Sequence, residues 1–310
     1  MKRPIVSIII PTFNRAGMIH RAIESIKLQT FNDWELIVVD DASTDSTEEI
    51  IQTYMRDDQR IRYIKHEKNQ GGSAARNTGI KNSKGSYIAL LDDDDRWYPE
   101  KLRLQYDYLQ NYPETGLVYS GFCYVDYETD KIIKSVRPRY QGNVSSIILK
   151  NNIIGSPTPL IRNECFQRAG LFDEKLSSCQ DWDMWIRISQ YCSFAYVKEC
   201  LAEVTMHGRQ ISSDLSSKID SRKKLLDKYF YFIKKNPSIL SCHYKRLAAL
   251  HAIDHSPVQA IMYLIRAFLL QPYKVEYALH LILAINPPLH RFFIFRFGSV
   301  LRHKKIIFYN

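Results

Sequence analysis

The segment Tyr87-Ile88-Ala89-Leu90-Leu91-Asp92-Asp93-Asp94-Asp95 decides the fold, because an apolar run ends abruptly in four adjacent carboxylates. Such a run is typical of a strand that is buried on both faces of a parallel sheet. In an open parallel sheet, ligands bind beyond the carboxyl ends of the strands, where these aspartates would lie. Because neighbouring carboxylates repel one another, we expect a divalent cation among them.

Two interpretations of the four aspartates are open. Oxygen ligands favour Mg²⁺ or Mn²⁺, and Mg²⁺ usually takes one or two carboxylates from the protein and further oxygens from phosphates. A nucleotide diphosphate is then the leading ligand. Alternatively, the aspartates form a solvated loop that caps a helix beginning near Pro99, since Asp favours N-caps and Pro suits the first turn.

Composition limits the class of protein. The chain has 310 residues, 45% hydrophobic and 25% charged, which indicates a globular protein with one large domain or two. Six cysteines without C-x-x-C spacing, and no signal-peptide pattern, predict reduced thiols in a cytoplasmic protein. The apolar run over residues 277–289 is shorter than the roughly 20 residues that span a bilayer, so no transmembrane helix is expected.

The formal net charge of +10 is unevenly distributed, since residues 287–310 hold five Lys or Arg and no Asp or Glu. Aromatic residues alternate with these cations. This pattern favours contact of residues 288–310 with an anionic membrane surface, which would make the protein peripheral on the inner face of the membrane. Packing of an amphipathic helix on the protein's own surface is the alternative. Nucleic-acid binding is not expected, because no recognition module is visible.

Strands and helices alternate over the first hundred residues. Strand-like runs cover residues 5–10, 35–39 and 61–64. The alternation predicts a doubly wound α/β sheet with Asp41 and Asp92 at the same edge. Ser46-Thr47-Glu48-Glu49 predicts a capping box at a helix start. The first strand-to-helix turn lacks G-x-G-x-x-G, and no Walker motif occurs, so dinucleotide-binding and P-loop proteins are excluded.

Five motifs follow one another along the chain. They are Ser7–Arg15, Val39–Ser43, Gly72–Asn77, Leu91–Asp95 and Gln180–Trp185. Together they resemble the motifs of inverting glycosyltransferases of family 2. The resemblance covers residues 1–215 and implies the GT-A fold, a Rossmann-like, mostly parallel central sheet flanked by helices. It implies a nucleotide-binding half (1–97) and an acceptor-binding half (98–215); residues 216–310 are predicted to be a helical extension with a basic aromatic tail.

The resemblance also implies roles for residues on the donor side. Pro11, Thr12 and Phe13 would line the base pocket. Asp41 would hydrogen-bond the base, most often uracil, and Arg76 would face the base or the diphosphate. For Asp41 the alternative is a turn or helix-cap aspartate.

The four aspartates match the family's D-x-D motif. Asp92 would contact ribose or sugar, and Asp94 would bind the Mn²⁺ or Mg²⁺ that bridges the phosphates. Asp93 lies between them. Four identical residues leave the register open by one, so the metal-binding aspartate is not fixed. His207 is a second predicted metal ligand, with Arg209 as a diphosphate clamp.

Asp181 is the predicted catalytic base, which would take the proton of an acceptor hydroxyl as it attacks the sugar. Asp183 is the competing base, and Asp181 as a plain helix cap is the structural alternative. The family usually has Glu-Asp where this chain has Gln180-Asp181. The resemblance implies a nucleotide-sugar donor and a saccharide or lipid-linked saccharide acceptor, in bacterial-type surface polysaccharide or glycolipid synthesis. A catalytically silent nucleotide-sugar binder is the alternative function.

Overall fold

The computed structural model describes residues 3–207, 214–284 and 286–289. The chain divides into two compact units. The first comprises the residues up to Ser145 together with Ile153–Lys175 and Gln180–His207. The second comprises Ser146–Asn152, Leu176–Cys179 and the described residues that follow His207. Arg209 and residues 290–310, including almost all of the predicted membrane-contacting tail, lie outside the described residues.

The first unit is built on a mixed sheet. Its strands are β1 (Val6–Thr12), β2 (Trp34–Asp40), β3 (Ile61–Lys65), β4 (Tyr87–Leu90), β5 (Arg96–Trp97), β6 (Thr115–Asp126), β7 (Ile132–Val136), β8 (Leu160–Arg162) and β9 (Ser193–Met206). Within the described residues the strand order is β3-β2-β1-β4-β8-β6-β9-β5, and β7 pairs with β6. Strands β1 to β4 run parallel, as do β6 and β9, whereas β5, β7 and β8 pair antiparallel. The predicted mostly parallel sheet is confirmed.

Helices flank this sheet. They are α1 (Ile19–Lys27), α2 (Thr47–Asp57), α3 (Gly72–Lys81), α4 (Lys101–Asn111), α6 (Asn163–Ala169) and α7 (Gln180–Ile188). Helix α5 (Ser145–Lys150) follows α4 in the chain and belongs, apart from Ser145, to the second unit. The predicted capping box at α2 is wrong: Ser46 has φ −77° and ψ 18°, and its side chain makes no cap. A near-helical backbone does not suit an N-cap residue. Asp45 does the capping instead, because its carboxylate accepts from the Thr47 amide at 3.1 Å.

The carboxyl ends of β1, β2 and β4 meet at one edge of the sheet. In the strand register, Thr12 pairs with Asp40, and the amide of Asp41 donates to the Thr12 carbonyl at 2.8 Å. The amide of Leu91 donates to the carbonyl of Ile9 at 3.1 Å. The chain therefore leaves β2 and β4 on either side of β1, and the predicted shared edge is confirmed.

Three side chains hold the segment that precedes β8. Trp97 Nε1, Gln105 Nε2 and Lys101 Nζ donate to the successive carbonyls of residues 157, 158 and 159, at 2.7, 2.8 and 3.3 Å. Lys101 and Gln105 lie four residues apart in α4 and therefore project from one side of that helix, whereas Trp97 lies in β5. Lys101 is fully buried, and burial lowers the pKa of its ammonium well below the ordinary value. The segment that precedes β8 is thus fixed through its backbone.

The second unit is helical. Its helices include α8 (Leu215–Lys228), α9 (Phe230–Ile233), α10 (Pro237–Ile253), α11 (Pro257–Leu270) and α12 (Val275–Ala284). Asn236 caps α10 by accepting from the Ser238 amide at 3.0 Å, and Pro237 occupies the first turn. Ala248, Leu264 and Ala284 form a shared core between α10, α11 and α12. Within the described residues, no helix combines the length and apolarity needed to cross a bilayer.

A close backbone approach beside β1 gives a test of the fold. A Cβ on Gly85 would lie 2.5 Å from the Ser7 amide nitrogen, and backbone cannot give way there. We expect Gly85→Ala to lower the free energy of unfolding by about 1–3 kcal/mol in denaturant titrations. Gly17→Ala is the matched control, because its Cβ would meet nothing within 4 Å. Equal stabilities of the two variants would contradict the packing.

Lys218 on α8 makes the stability dependent on pH. Burial lowers the pKa of its ammonium to about 7, with Cys179 and Asp214 opposing and Arg222 adding to the shift. Between pH 7 and 10.5 the unfolded chain keeps a proton that the folded chain releases, so the free energy of unfolding rises with pH. We expect Lys218→Met to remove a rise of about 1.4 kcal/mol per pH unit in urea titrations.

The matched control for Lys218 is Lys224→Met. Lys224 lies on the same helix, is 51% exposed and pairs with Asp220 at 2.8 Å. Its removal is expected to leave the shape of the curve of stability against pH unchanged. Parallel curves for the wild-type chain and Lys218→Met would show that Lys218 stays charged in the folded protein.

Candidate active site

The four aspartates after β4 alternate between buried and accessible positions. Asp93 and Asp95 are buried, whereas the side chains of Asp92 and Asp94 are 28% and 15% exposed. Asp95 accepts a hydrogen bond from the amide of Thr205 in β9 at 2.9 Å, which directs its carboxylate into the sheet. The register in which Asp92 and Asp94 are the outer members of D-x-D stays a prediction.

Two arginines and one histidine, from three distant parts of the chain, contact these carboxylates. Arg76 on α3 donates to Asp92 at 2.5 Å, and the ring of His207 after β9 lies 2.8 Å from Asp94. Arg15 lies 3.4 Å from Asp93 and 4.0 Å from Asp94. The repulsion expected from the sequence is therefore relieved within the protein, before any ligand binds.

Burial changes the charge of the cluster. Burial, and secondly the neighbouring Asp94, raise the pKa of Asp93 to about 8, although the Thr12 hydroxyl and Arg15 oppose the rise. The same two causes raise the pKa of Asp95 well above its ordinary value. At neutral pH the four aspartates thus carry fewer than four negative charges.

Asp94 and His207 are the two predicted metal ligands, and they lie in contact. Oδ2 of Asp94 and Nε2 of His207 are 2.8 Å apart. Adjacent ligands of an octahedral ion with bonds of about 2.1 Å lie about 3 Å apart, so the pair fits two positions on one ion. Within the described residues no group of three or more His, Cys, Asp or Glu is arranged to hold a metal. The pair therefore fits an ion whose other ligands are phosphate oxygens and water.

The β6–β7 turn supports His207. The Tyr127 ring meets the His207 ring edge-on with centroids 6.2 Å apart, and the Tyr127 amide donates to the Met206 carbonyl at 3.1 Å. Asp130 in the same turn accepts from Arg21 at 2.6 Å and from Arg96 at 2.7 Å. The imidazole is therefore held by a turn that is tied both to α1 and to the residue following the four aspartates.

Asp41 lies at the neighbouring strand end, in contact with the loop before α3. Its carboxylate accepts from the amides of Gln70 at 2.9 Å and Gly71 at 2.6 Å, and contacts the His66 ring at 2.7 Å. An ionised carboxylate has about four acceptor positions, so these three contacts leave about one for a base. Asp41 thus shapes the Gly71-Gly72 loop, and Gly71 needs its glycine because its φ is +89°.

The predicted base-pocket residues lie at the end of β1. Thr12 is buried, Pro11 is partly buried, and Phe13 is 44% exposed. The following Asn14 has φ 53°, its amide donates to the Ser43 hydroxyl at 2.8 Å, and its side chain accepts from the Thr44 amide at 2.8 Å. These bonds tie the two loops after β1 and β2 together and leave the Phe13 ring accessible.

One arginine joins the aspartates to the start of α7. Arg76 donates to Gln180 Oε1 at 2.9 Å as well as to Asp92. Gln180 is the first residue of α7, and Asp181 follows it. Asp181 is partly exposed, and its carboxylate accepts from the Trp182 amide at 2.7 Å. One arginine therefore connects the residue before the predicted base to the first aspartate of the D-x-D motif.

Asp183, the competing base, is fully buried and bound to Arg187 through two contacts of 2.9 and 3.0 Å. Arg187 also donates to the carbonyls of Ala169 and Leu171. This pair ties α7 to the end of α6. Since its carboxylate faces the protein interior, Asp183 does not fit the role of a base that meets an acceptor.

Sequence reasoning gave no role to three residues of this site: Arg15, His66 and Gln180. Arg15 ends the Ser7–Arg15 motif, and the available signal was a cation three residues beyond the end of a strand at the acidic edge. His66 directly follows β3, so the rule that strand ends meet at one edge could have placed it near Asp41. Nothing in the local sequence indicates that Gln180 contacts Arg76.

Two solved structures share this fold. Staphylococcus aureus TarS 1-349 in complex with UDP-GlcNAc superposes with a TM-score of 0.60 at 18% identity, covering 88% of this chain and 92% of that chain. The mannosyltransferase PcManGT of Pyrobaculum calidifontis, in complex with GDP-Man and Mn²⁺, gives 0.61 at 19% identity over 94% and 84%. Both are GT-A glycosyltransferases, so the predicted GT-A fold is confirmed.

Sequence comparison assigns the family. The model of Glycosyl transferase family 2 matches residues 7–173. TuaG of Bacillus subtilis (strain 168), a glycosyltransferase named for teichuronic acid biosynthesis, is 32% identical over 213 residues, which are 68% of this chain and 83% of that protein. Two longer rickettsial glycosyltransferases are matched over only 31% and 33% of their length. The chain therefore belongs to glycosyl transferase family 2, and it is a GT-A enzyme of a family that transfers sugars with inversion.

Proposed function

We propose that this protein moves a sugar from a nucleotide-diphosphate donor to an acceptor hydroxyl in a metal-dependent reaction. The observation that carries the proposal is the continuous set of contacts from Gln180 through Arg76 to Asp92. It joins the helix start that bears Asp181 to the aspartates beside His207. The proposed site therefore combines a carboxylate for the acceptor with groups for a diphosphate.

The donor is proposed to bind along the ends of β1, β2 and β4. The accessible Phe13 ring offers a stacking surface for a base, with Pro11 and Thr12 beneath it and one acceptor position of Asp41 beside it. Arg76 would contact the diphosphate and Asp92 the ribose or sugar, while Asp93 lies buried between Asp92 and Asp94. UDP is the proposed nucleotide. Because one structural neighbour holds UDP-GlcNAc and another GDP-Man, GDP is the alternative to test.

Asp94 and His207 are the residues proposed to hold Mn²⁺ or Mg²⁺. Their donor atoms, one carboxylate oxygen and one imidazole nitrogen, suit Mn²⁺ particularly well. The bound ion would stabilise the negative charge of the departing diphosphate as a Lewis acid. Arg15 supplies positive charge beside Asp93 and Asp94, and Arg76 supplies it beside Asp92.

Asp181 is proposed to take the proton of the acceptor hydroxyl as that oxygen attacks the anomeric carbon. A direct displacement of this kind inverts the anomeric centre. The helix start at Gln180 orients the carboxylate, and the Trp182 amide holds one of its oxygens at 2.7 Å. The proposed acceptor is a saccharide or lipid-linked saccharide of a surface polysaccharide or glycolipid, in line with the pathway in the name of the Bacillus relative.

The cell compartment is proposed to be the cytoplasm. None of the six cysteines, all of which the structure describes, forms a disulfide. Thiols of this kind are typical of reducing compartments.

A panel of nucleotide sugars tests the donor proposal. UDP-, GDP- and dTDP-sugars would each be added with and without Mn²⁺, and thermal unfolding measured. A ligand at about 100 times its dissociation constant adds roughly 2.7 kcal/mol of stability, which gives a clear rise in Tm. The absence of a rise with every donor, in the presence and absence of Mn²⁺, would refute the proposal.

Replacing the metal pair should remove the effect of Mn²⁺ on donor binding. We expect His207→Ala and Asp94→Asn to abolish the additional thermal stabilisation that Mn²⁺ gives with the bound donor, because each removes one of two ligands from the protein. His20→Ala, a change at an exposed histidine of α1, is the control. A Mn²⁺ effect of wild-type size in both variants would contradict the assignment.

Replacing the proposed base should lower turnover without affecting donor affinity. We expect Asp181→Asn to reduce kcat by about 10²–10⁴, because it removes proton transfer in the transition state. Release of nucleoside diphosphate would be measured with a panel of saccharide acceptors, and the donor Kd by calorimetry. Asp107→Asn, at a 53% exposed acid on α4, is the control. A kcat of wild-type size in Asp181→Asn would eliminate Asp181 as the base.

Asp183 should matter for stability instead. We expect Asp183→Asn to lower the free energy of unfolding by roughly 2–3 kcal/mol, because it removes a buried charge from its partner. The loss stays below that of a fully buried pair, since Arg187 keeps two carbonyl acceptors. Denaturant titration of Asp183→Asn and Asp181→Asn in parallel separates the two roles. A larger loss of stability in Asp181→Asn would reverse them.

A further inference from the structure

Helix α11 is apolar on two opposite sides. One stripe, Ala260, Leu264 and Ala267, is buried within the second unit. The opposite stripe is exposed at spacings of three and four residues: Val258 (66%), Met262 (48%), Ile265 (45%) and Leu269 (72%). A helix that is apolar all round is normally buried all round, so an exposed stripe of this kind indicates a further partner.

Helix α12 repeats the arrangement. Tyr277, His280 and Ala284 are buried, whereas Val275 (79%), Leu279 (40%) and Ile282 (66%) are exposed. The shared core with α10 lies on the buried sides of both helices, so their exposed stripes lie on the side away from α10. We call these seven exposed side chains the outer face. Single exposed apolar residues are common on proteins, but a continuous face marks an interaction site.

The charged residues around the outer face indicate what kind of partner it binds. Helix α11 contains no Asp or Glu, and its Arg266 is exposed beside the apolar stripe. Lys274 precedes α12, and the single acid of α12, Glu276, is paired with Lys245. Tyr273, between the two helices, is 74% exposed. Apolar side chains bordered by cations and a tyrosine match the interface of a bilayer that contains anionic lipid.

We propose that the outer face docks the second unit on a membrane surface that contains anionic lipid. The stripes of α11 and α12 would lie among the headgroups, with Arg266 and Lys274 against lipid phosphates. A second copy of the chain fits less well, because a symmetric contact would bring these cations close to their own equivalents. Residues 290–310 fit less well for the same reason, since that segment contains five Lys or Arg and no acid.

This surface is independent of the sugar transfer proposed above. It does, however, suit an enzyme whose acceptor is lipid-linked, because that acceptor would lie in the membrane to which the outer face binds. Vesicle binding can be measured without turnover, and turnover without vesicles. A failure of one proposal therefore leaves the other intact.

The test uses the full-length chain and vesicles of phosphatidylcholine, with or without phosphatidylglycerol. We expect sedimentation with the anionic vesicles only, weakening as salt is added. The double variant Leu269→Asp, Ile282→Asp should bind them at least about tenfold more weakly, since it places acids in the headgroup layer. Leu28→Asp, at a leucine of the first unit that is 66% exposed, is the matched control.

A fluorescent reporter distinguishes the possible partners of the outer face. Brominated lipids in anionic vesicles should quench the fluorescence of the tryptophan introduced by Leu269→Trp, but not that of the tryptophan introduced by Leu28→Trp. Wild-type affinity of the double Asp variant for vesicles, or absence of quenching, would overturn the proposal. So would a concentration-dependent dimer in light scattering that the double Asp variant abolishes, since a second copy would then cover the face.

Discussion

Mutual repulsion among the four carboxylates of residues 92–95 is the constraint on which the rest of the site depends. The protein relieves it in two ways. Asp93 and Asp95 are buried with raised pKa values, and Arg15, Arg76 and His207 bring positive or polar groups to the others. These three residues come from the ends of β1 and β9 and from α3. The site therefore exists only when the sheet is complete, and assembling it is part of folding.

Much of the nucleotide-binding half could be predicted, because its strands are buried on both faces and leave plain apolar runs. Once β1, β2 and β4 were identified, the rule for strand ends placed Asp41 and Asp92 at one edge. The partners of β6 and β9 could not be predicted this way. These strands pair in parallel although they lie about seventy residues apart, and a pattern of residue types does not specify pairing partners. The capping box failed for a local reason, since Asp45 reaches the Thr47 amide and Ser46 does not.

The sequence indicated which residues belong to the site better than it indicated which of them contact one another. The sequence does not fix which of the four identical aspartates form the D-x-D motif. In the structure the Thr205 amide, 110 positions away along the chain, donates to Asp95 and turns its carboxylate into the sheet. His66 was overlooked because its partner, Asp41, is 25 positions away. Asp183 differs, since Arg187 lies four residues further along the same helix. That spacing was a readable signal for an internal ion pair, and it would have separated Asp183 from Asp181 at the outset.

The neutral side chain of Gln180 connects the start of α7 to Arg76, which in turn contacts the D-x-D motif. Its amide oxygen accepts from Arg76, which holds α7 against the D-x-D region without adding a charge. A glutamate, the family's usual residue at this position, would share the guanidinium between two carboxylates. With glutamine, the charge of Arg76 remains directed towards Asp92 and any bound diphosphate. The residue before Asp181 thus orients the helix of the proposed base while leaving the positive charge for the donor.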